Sequence, residues 1–388
     1  MATARWHRLR IGRPVTAFGL LSTYPPTRCG LATFTAALAS ALPGRGDPDS
    51  QVVRVDDLIP TGPPSPGPRT VIVGELHPGE AAGRSAAAIA LSDCDVAIVQ
   101  HEYGIYGGRD GDEILDVLAR VTSPRIVVLH TVREAPSAYQ RWLLDRVAGL
   151  ASAVVVMTEA ASETLARRYS VSPSKVHVIP HGVADPWRAA PSVRRSHDRP
   201  TVLSWGLLGP GKGVEWGIRA LALQPAVEPA PRYVIAGQTH PKVAAEAGES
   251  YRDSLLALAL ELGVDADVEI DGRYRDAPEL AALVLAADVV LLPYDSREQS
   301  TSGVLVEALA AGKPVIATRF PHAVELLSGG AGILVGHEDP QEIAVALHRV
   351  LQRGTRDTAG PRAPANSWEA VAAQYRGLAE GLVQAAAA

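Results

Sequence analysis

Short apolar, β-branched runs recur along this chain, each separated from the next by a stretch of helical period. In the first half they fall at 15–21, 51–55, 70–73, 95–100, 125–129, 153–157 and 176–179. The stretches 33–42, 112–120, 138–149 and 160–169 between them read as helices. The runs are continuous rather than alternating, which suits strands covered by helices on both faces. That rhythm predicts a doubly wound parallel sheet. At 184–200 it breaks into a Pro- and Arg-rich segment without periodicity, a predicted linker. It restarts at 201–205, 232–236, 267–271, 288–292, 314–318 and 332–335, with helices near 213–223, 250–262, 278–287, 303–311 and 340–352. A second Pro- and Gly-rich stretch at 354–364 leads to a last helix from Trp368 to about Val383. The expectation is an α/β chain of two Rossmann-like domains, 1–183 and 201–365, joined by the 184–200 linker. A length of 388 residues fits two cores. Ligands of such sheets bind beyond the carboxyl ends of the strands, so a cleft between facing domains is the expected site. The proline-rich segment 62–68 reads as a surface loop.

Composition narrows the function classes. Hydrophobic residues at 47% against 20% charged exclude a disordered chain. A net charge of −5 gives no electrostatic reason to expect nucleic acid. Two cysteines, Cys29 and Cys94, make neither a disulfide framework nor a thiolate metal cage, and a reducing, cytoplasmic location fits. No apolar run reaches the ~18 residues that span a bilayer, so no transmembrane segment is expected, while peripheral membrane contact stays open. Arg5, Arg8, Arg10 and Arg13 before the first apolar run loosely mimic a signal peptide. Tyr24-Pro25-Pro26 stands where small cleavage-site residues belong, so the run reads as a first strand behind a basic tail. Only four basic residues are lysines: Lys175, Lys212, Lys242 and Lys313. Their positions therefore carry information.

Lys212 ends the glycine-rich loop GLLGPGKG over 206–213, directly after the predicted strand 201–205. Such a loop opening a helix exposes backbone N–H groups to an anion, and the lysine adds a point charge. The run nearly matches G-x4-G-K-[ST], but Gly213 replaces the hydroxyl that would hold Mg²⁺, which argues against an ATPase. The plain alternative is a tight turn with a solvated lysine. A second anion site is expected where Ser300, Thr301, Ser302 and Gly303 open a helix. Glu307 is the one charge in the apolar segment 304–311 and lies one turn beyond Gly303 on the same face. It could accept from sugar hydroxyls, or simply pair with a local arginine. His101, His130 and His181 each follow an apolar strand and could gather at one sheet edge. Three imidazoles can ligate zinc, but none sits at local metal spacing, so structural or substrate-polarising roles are preferred. Glu102 and Tyr103, next to His101, could face an acceptor.

Taken in order, these segments resemble the retaining glycosyltransferases of family 4, which have the GT-B fold. The resemblance covers nearly the whole chain. It runs through PPTRCG at 25–30, His130-Thr131, IPHGV at 179–183, Lys212-Gly213, ADVVLLPY at 287–294 and SGVLVEALAAGKPVIAT at 302–318. It implies that Glu307, the second glutamate of an E-x7-E signature, binds the nucleotide's ribose. Lys212 would contact the donor diphosphate, with Gly206 in the same loop, and the amides of Ser302 and Gly303 would hold the distal phosphate. Gly30 would approach the donor phosphates and His130 the reacting sugar, making His130 and Lys212 the catalytic pair. The C-terminal helix, 366–388, would pack back on the first domain. Two positions depart from the pattern. Gln299 stands where the first glutamate belongs, a residue that in the family bonds hydroxyls of the transferred sugar, and as a donor-binding residue it could do so without charge. Leu207 stands where an arginine often precedes the lysine, and Arg273 or Arg319 could replace that cation.

The resemblance implies transfer of a hexose from a nucleotide-diphosphate sugar to an acceptor hydroxyl, with an α-linked product. Lys212 and the helix starts would stabilise the departing diphosphate, leaving no need for a metal or other cofactor. No second carboxylate at motif level supports double displacement, so front-face transfer is expected, with the leaving phosphate taking the acceptor's proton. Competing readings are a glycoside phosphorylase or nucleotide-sugar epimerase on the same fold, and a non-catalytic nucleotide-sugar binder.

Overall fold

The computed structural model describes residues 17–56, 66–184, 199–224, 229–353 and 366–388. The basic tail and most of the predicted 184–200 linker lie outside the described residues, as do all of 354–364 and part of the 62–68 loop. The described residues form two compact units, one of those up to 180 with 368–388 and one of those from 181 to 367.

The first unit is built on seven strands: β1 (Phe18–Ser22), β2 (Ser50–Val55), β3 (Thr70–Leu76), β4 (Val96–His101), β5 (Arg125–Leu129), β6 (Ala153–Val156) and β7 (Val176–Val178). Their order is β3-β2-β1-β4-β5-β6-β7 with every pairing parallel. β1 and β4 are buried along their whole length, as continuous apolar runs require of central strands. The helices Gly30–Ala41, Ala81–Ser92, Ile114–Arg120, Ala138–Leu150 and Glu159–Arg168 cover the sheet. A sixth element joins them from the far end of the chain. In the helix Trp368–Ala387, Trp368 meets Phe34 edge-on at 4.9 Å and Tyr375 is fully buried. Arg376 donates to the carbonyls of Ala41 and Leu42, both at 3.1 Å, capping the helix Gly30–Ala41.

The second unit repeats the plan with β8 (Thr201–Trp205), β9 (Arg232–Ala236), β10 (Val268–Asp271), β11 (Val289–Leu292), β12 (Val315–Thr318) and β13 (Ile333–Val335). The order is β10-β9-β8-β11-β12-β13, again all parallel. In both sheets the order reverses direction beside the first strand, between β1 and β4 and between β8 and β11. Loops leaving the carboxyl ends of two strands at such a point diverge and leave a crevice. In the second unit those loops are 206–213, the glycine-rich segment, and 293–302, which ends in the Ser300-Thr301-Ser302 turn.

The strands match their sequence expectation to within a few residues. The unit boundary does not: it falls at 180/181 rather than 183/184. Pro180 has no N–H to continue the β7 ladder. Val183 instead pairs with Ser367, and its N–H donates to the Asn366 carbonyl at 2.9 Å. Two of the four lysines serve the fold. Lys175 donates to the carbonyls of Gly149 and Ala151 at the end of the helix Ala138–Leu150, and Lys313 to those of Leu285 and Ala287 at the end of the helix Ala277–Ala286. Lys212 has no such duty.

Candidate active site

The loop after β8 is shaped by its glycines. Gly206 has φ +120° and Gly213 has φ 62°, ψ 17°, the left-handed region that starts the helix Val214–Ala222. A Cβ on Gly213 would stand 1.8 Å from the Pro293 carbonyl oxygen. This close approach lets the β8 loop lie against the β11 loop. Asp295 N–H donates to the Gly211 carbonyl at 3.1 Å, and the Trp216 indole donates to Asp295 Oδ1 at 2.7 Å. The strapping places the Lys212 ammonium 4.7 Å from the centre of the Tyr294 ring. Tyr294 in turn stacks on Phe320 at 5.2 Å. Lys212 is half-buried and makes no ion pair among the described residues, so its charge is available to a ligand anion.

The helix Gly303–Ala310 begins beside this loop, with Val304 Cγ2 3.9 Å from where a Cβ on Gly206 would sit. Ser302 caps it, its hydroxyl accepting from the Leu305 N–H at 3.2 Å. The structure corrects one expectation here. The Ser302 N–H donates to His322 Nδ1 at 2.8 Å and is not free for a phosphate. Among the described residues the open amides at this helix start are those of Gly303 and Val304. The Gln299 side chain is also turned inward, its Nε2 donating to the Thr301 carbonyl.

Glu307 lies one turn along the same helix. It keeps part of its surface open, yet its carboxyl is enclosed by protein, and this burial raises its pKa to about 7. The Trp205 indole N–H at the end of β8 faces the carboxyl and opposes the rise, and among the described residues Trp205 Nε1 is a buried donor with no hydrogen bond of good geometry. An acid poised near neutrality beside an unsatisfied donor is the arrangement expected of a ligand site.

Of the two alternative cations, Arg273 pairs with Asp271 at 2.7 Å and Arg319 reaches the Leu334 carbonyl at 3.5 Å. Among the described residues no group of three His, Cys, Asp or Glu side chains could hold a metal. Of the three histidines of the zinc reading, His101 and His130 lie in the first unit. His181 belongs to the second unit, where its Nδ1 bonds the Gly182 carbonyl at 2.7 Å and its Nε2 lies 3.1 Å from where a Cβ on Gly303 would sit.

In the first unit, Cys29 caps the helix Gly30–Ala41, its Sγ accepting from the Ala32 N–H at 3.4 Å. Gly30 is exposed at that helix start, and a Cβ there would meet nothing within 4 Å. His130 Nε2 lies 2.7 Å from Gln100 Oε1 and its ring meets Phe34 edge-on at 4.9 Å, which orients the imidazole. The acceptor-side expectation fails for two residues. His101 and Tyr103 are buried at 1% and 8% exposure and pack on each other, so neither faces outward. Desolvation holds His101 neutral, its pKa lowered to about 4. Glu102 is half-buried and accepts from Thr131 Oγ1 at 2.6 Å and the Tyr103 N–H at 2.9 Å.

Comparison with known proteins follows the same division. Residues 29–187 match the family model described as Glycosyltransferase Family 4, and residues 199–353 match that described as Glycosyl transferases group 1. The chain belongs to glycosyltransferase family 4. Its two parallel Rossmann-like units are the GT-B fold, shared with solved structures such as Anabaena HepE in complex with UDP and glucose (TM-score 0.68, 18% identity, 95% of this chain and 98% of that one). Sucrose-phosphate synthase from Thermosynechococcus elongatus is equally similar (TM-score 0.69, 20% identity, 95% and 100%). Among curated relatives, D-inositol 3-phosphate glycosyltransferase of Acidothermus cellulolyticus is 31% identical over 222 residues, 54% of this chain and 48% of the relative. That of Corynebacterium jeikeium is 32% identical over 253 residues, 60% and 58%. The matched region spans about half the length of these relatives. No described helix is long and apolar enough to cross a membrane.

Sequence reading missed His322 and Trp205. His322 had a usable signal, as a histidine four residues after a strand end, set between Phe320-Pro321 and Ala323-Val324.

Proposed function

We propose that this family 4 member transfers a hexose from a nucleoside-diphosphate sugar to an acceptor hydroxyl, with retention and an α-linked product. The observation that carries the reading is the grouping at the carboxyl edges of β8 and β11. An unpaired Lys212, two open amides at Gly303 and Val304, and the enclosed Glu307 carboxyl all lie on loops or helices leaving that edge. In this reading Lys212 and the helix start take the diphosphate, whose negative charge grows as the C1–O bond breaks. Glu307 accepts from the ribose hydroxyls. The acceptor oxygen bonds to C1 on the face the diphosphate leaves, and its proton passes to the departing phosphate oxygen. His130 is assigned to the sugar's 6-hydroxyl and Gly30 to the donor phosphates. UDP and glucose in the HepE complex support a nucleotide-sugar donor. D-inositol 3-phosphate, which the curated relatives' names mention, is the first acceptor to try.

The test is release of nucleoside diphosphate from UDP-, GDP- and ADP-hexoses, with and without acceptor, followed by anomer assignment of the product. Acceptor-dependent release that survives EDTA is expected. Release that requires inorganic phosphate, or a β-linked product, would overturn the assignment.

Glu307 gives this reading a pH signature. Its carboxyl is raised above the ordinary value, so between about 4.5 and 7 the folded protein holds more protons there than the unfolded chain. Its contribution to stability is therefore fully present below the unfolded value and lost as pH rises through about 7. Ribose hydroxyls donate to the carboxylate, so nucleotide affinity should run the other way and rise by up to about tenfold from pH 6 to pH 8. Calorimetric titration of Glu307→Gln should show weaker binding with that rise removed. An unchanged profile in the variant would place the ribose elsewhere.

A further inference from the structure

We infer that Gln299 and His322 are positioning residues that clamp a single peptide unit, the one joining Thr301 to Ser302, and so aim the phosphate-binding helix start. The inference rests on the nucleotide-sugar reading above. Both ends of this peptide are held. Its carbonyl, on Thr301, accepts from Gln299 Nε2; its N–H, on Ser302, donates to His322 Nδ1 at 2.8 Å. The two clamping residues are themselves joined, since the His322 N–H donates to the Gln299 carbonyl at 3.4 Å.

The chemistry of each contact fixes the residue type. A carbonyl can only accept, so the side chain opposite Thr301 must donate, which an amide does and a carboxylate does not. This gives the glutamine at the first position of the E-x7-E signature a physical reason. A backbone N–H can only donate, so His322 Nδ1 must carry a lone pair and the ring must be the neutral tautomer protonated on Nε2. His322 is 3% exposed, and burial together with neighbouring His181 keeps it neutral, with its pKa lowered to about 3.

The clamped peptide immediately precedes Gly303 and Val304. With its orientation fixed, their amides are aimed before any anion arrives and need no reorganisation on binding. The clamp also reaches Lys212. His322 is two residues from Phe320, which stacks on Tyr294, the ring beneath the Lys212 ammonium. Gln299 and His322 thus need not touch the donor to govern how its phosphates are held.

The experiment compares affinity for nucleoside diphosphate with affinity for the matching nucleoside, by calorimetry, using UDP, GDP and ADP against uridine, guanosine and adenosine. The base bound best by the wild type is carried forward. Gln299→Glu, which restores the signature glutamate, should reduce the preference for diphosphate over nucleoside by about tenfold. His322→Phe should do the same, while His322→Asn, whose Oδ1 replaces the Nδ1 acceptor, should retain it. Nucleoside affinity in the same variants reports an intact fold. A wild type with no preference for the diphosphate sinks the nucleotide-sugar reading and the clamp together. A wild type that prefers the diphosphate, with Gln299→Glu or His322→Phe keeping that preference, sinks the clamp alone.

Discussion

Replacing Lys212 with alanine is expected to lower kcat/KM by about two to three orders of magnitude, mostly in kcat. The diphosphate carries its greatest charge as it leaves, so a fixed cation contributes more to the transition state than to donor binding. Leu207 supplies no second charge, and Arg273 and Arg319 are engaged elsewhere, with Asp271 and the Leu334 carbonyl. The Tyr294 ring beneath the ammonium gives the lysine a defined position rather than a solvated one. Steady-state kinetics with a saturating acceptor measures the effect. Activity within a factor of about three of wild type would mean that the diphosphate is neutralised by another group.

Gly213→Ser is the second large effect, and its direction opposes what motif reading suggests. The change would complete a G-x4-G-K-S pattern, yet it should destroy the site rather than create an ATP-binding one. The new Cβ would sit 1.8 Å from the Pro293 carbonyl oxygen, and the backbone is held at φ 62°. Left-handed geometry and the forced displacement together should cost roughly 2–5 kcal/mol. The loss should appear in the urea midpoint, along with failure to bind nucleoside diphosphate. A midpoint equal to wild type would show that the β11 loop can yield without harm.

Much of this architecture was legible because a parallel strand buried on both faces has to be written as an unbroken apolar run. β1, β4, β8 and β11 are such runs, and each was found within three residues of its limits. Two of the helices missed share a physical cause. Pro241–Ala247 and Pro321–Leu327 are seven residues long and open with proline. Proline fits the first helical position, but in sequence it reads as a turn. Ala81–Ser92 is hard to read because alanine at half of its positions leaves little amphipathic contrast. Missing Pro321–Leu327 hid His322, and with it the reason for Gln299. The motif located the anion-binding edge, but which amides remained open depended on a side chain twenty residues away. Such pairings arise from sheet order, which spacing along the chain does not encode.

The helix Trp368–Ala387 ties the first unit to the order in which the chain is made. Arg376 caps a helix whose end lies 335 residues earlier. At roughly 5–20 residues per second, a ribosome needs about 15–70 s to cover that distance. Throughout that time Phe34 and its neighbours lack their covering helix, while the second unit is contiguous and can finish folding as soon as it emerges. The half made first is therefore the half completed last, and the side of Phe34 that meets Trp368 stays uncovered until the helix Trp368–Ala387 has been made.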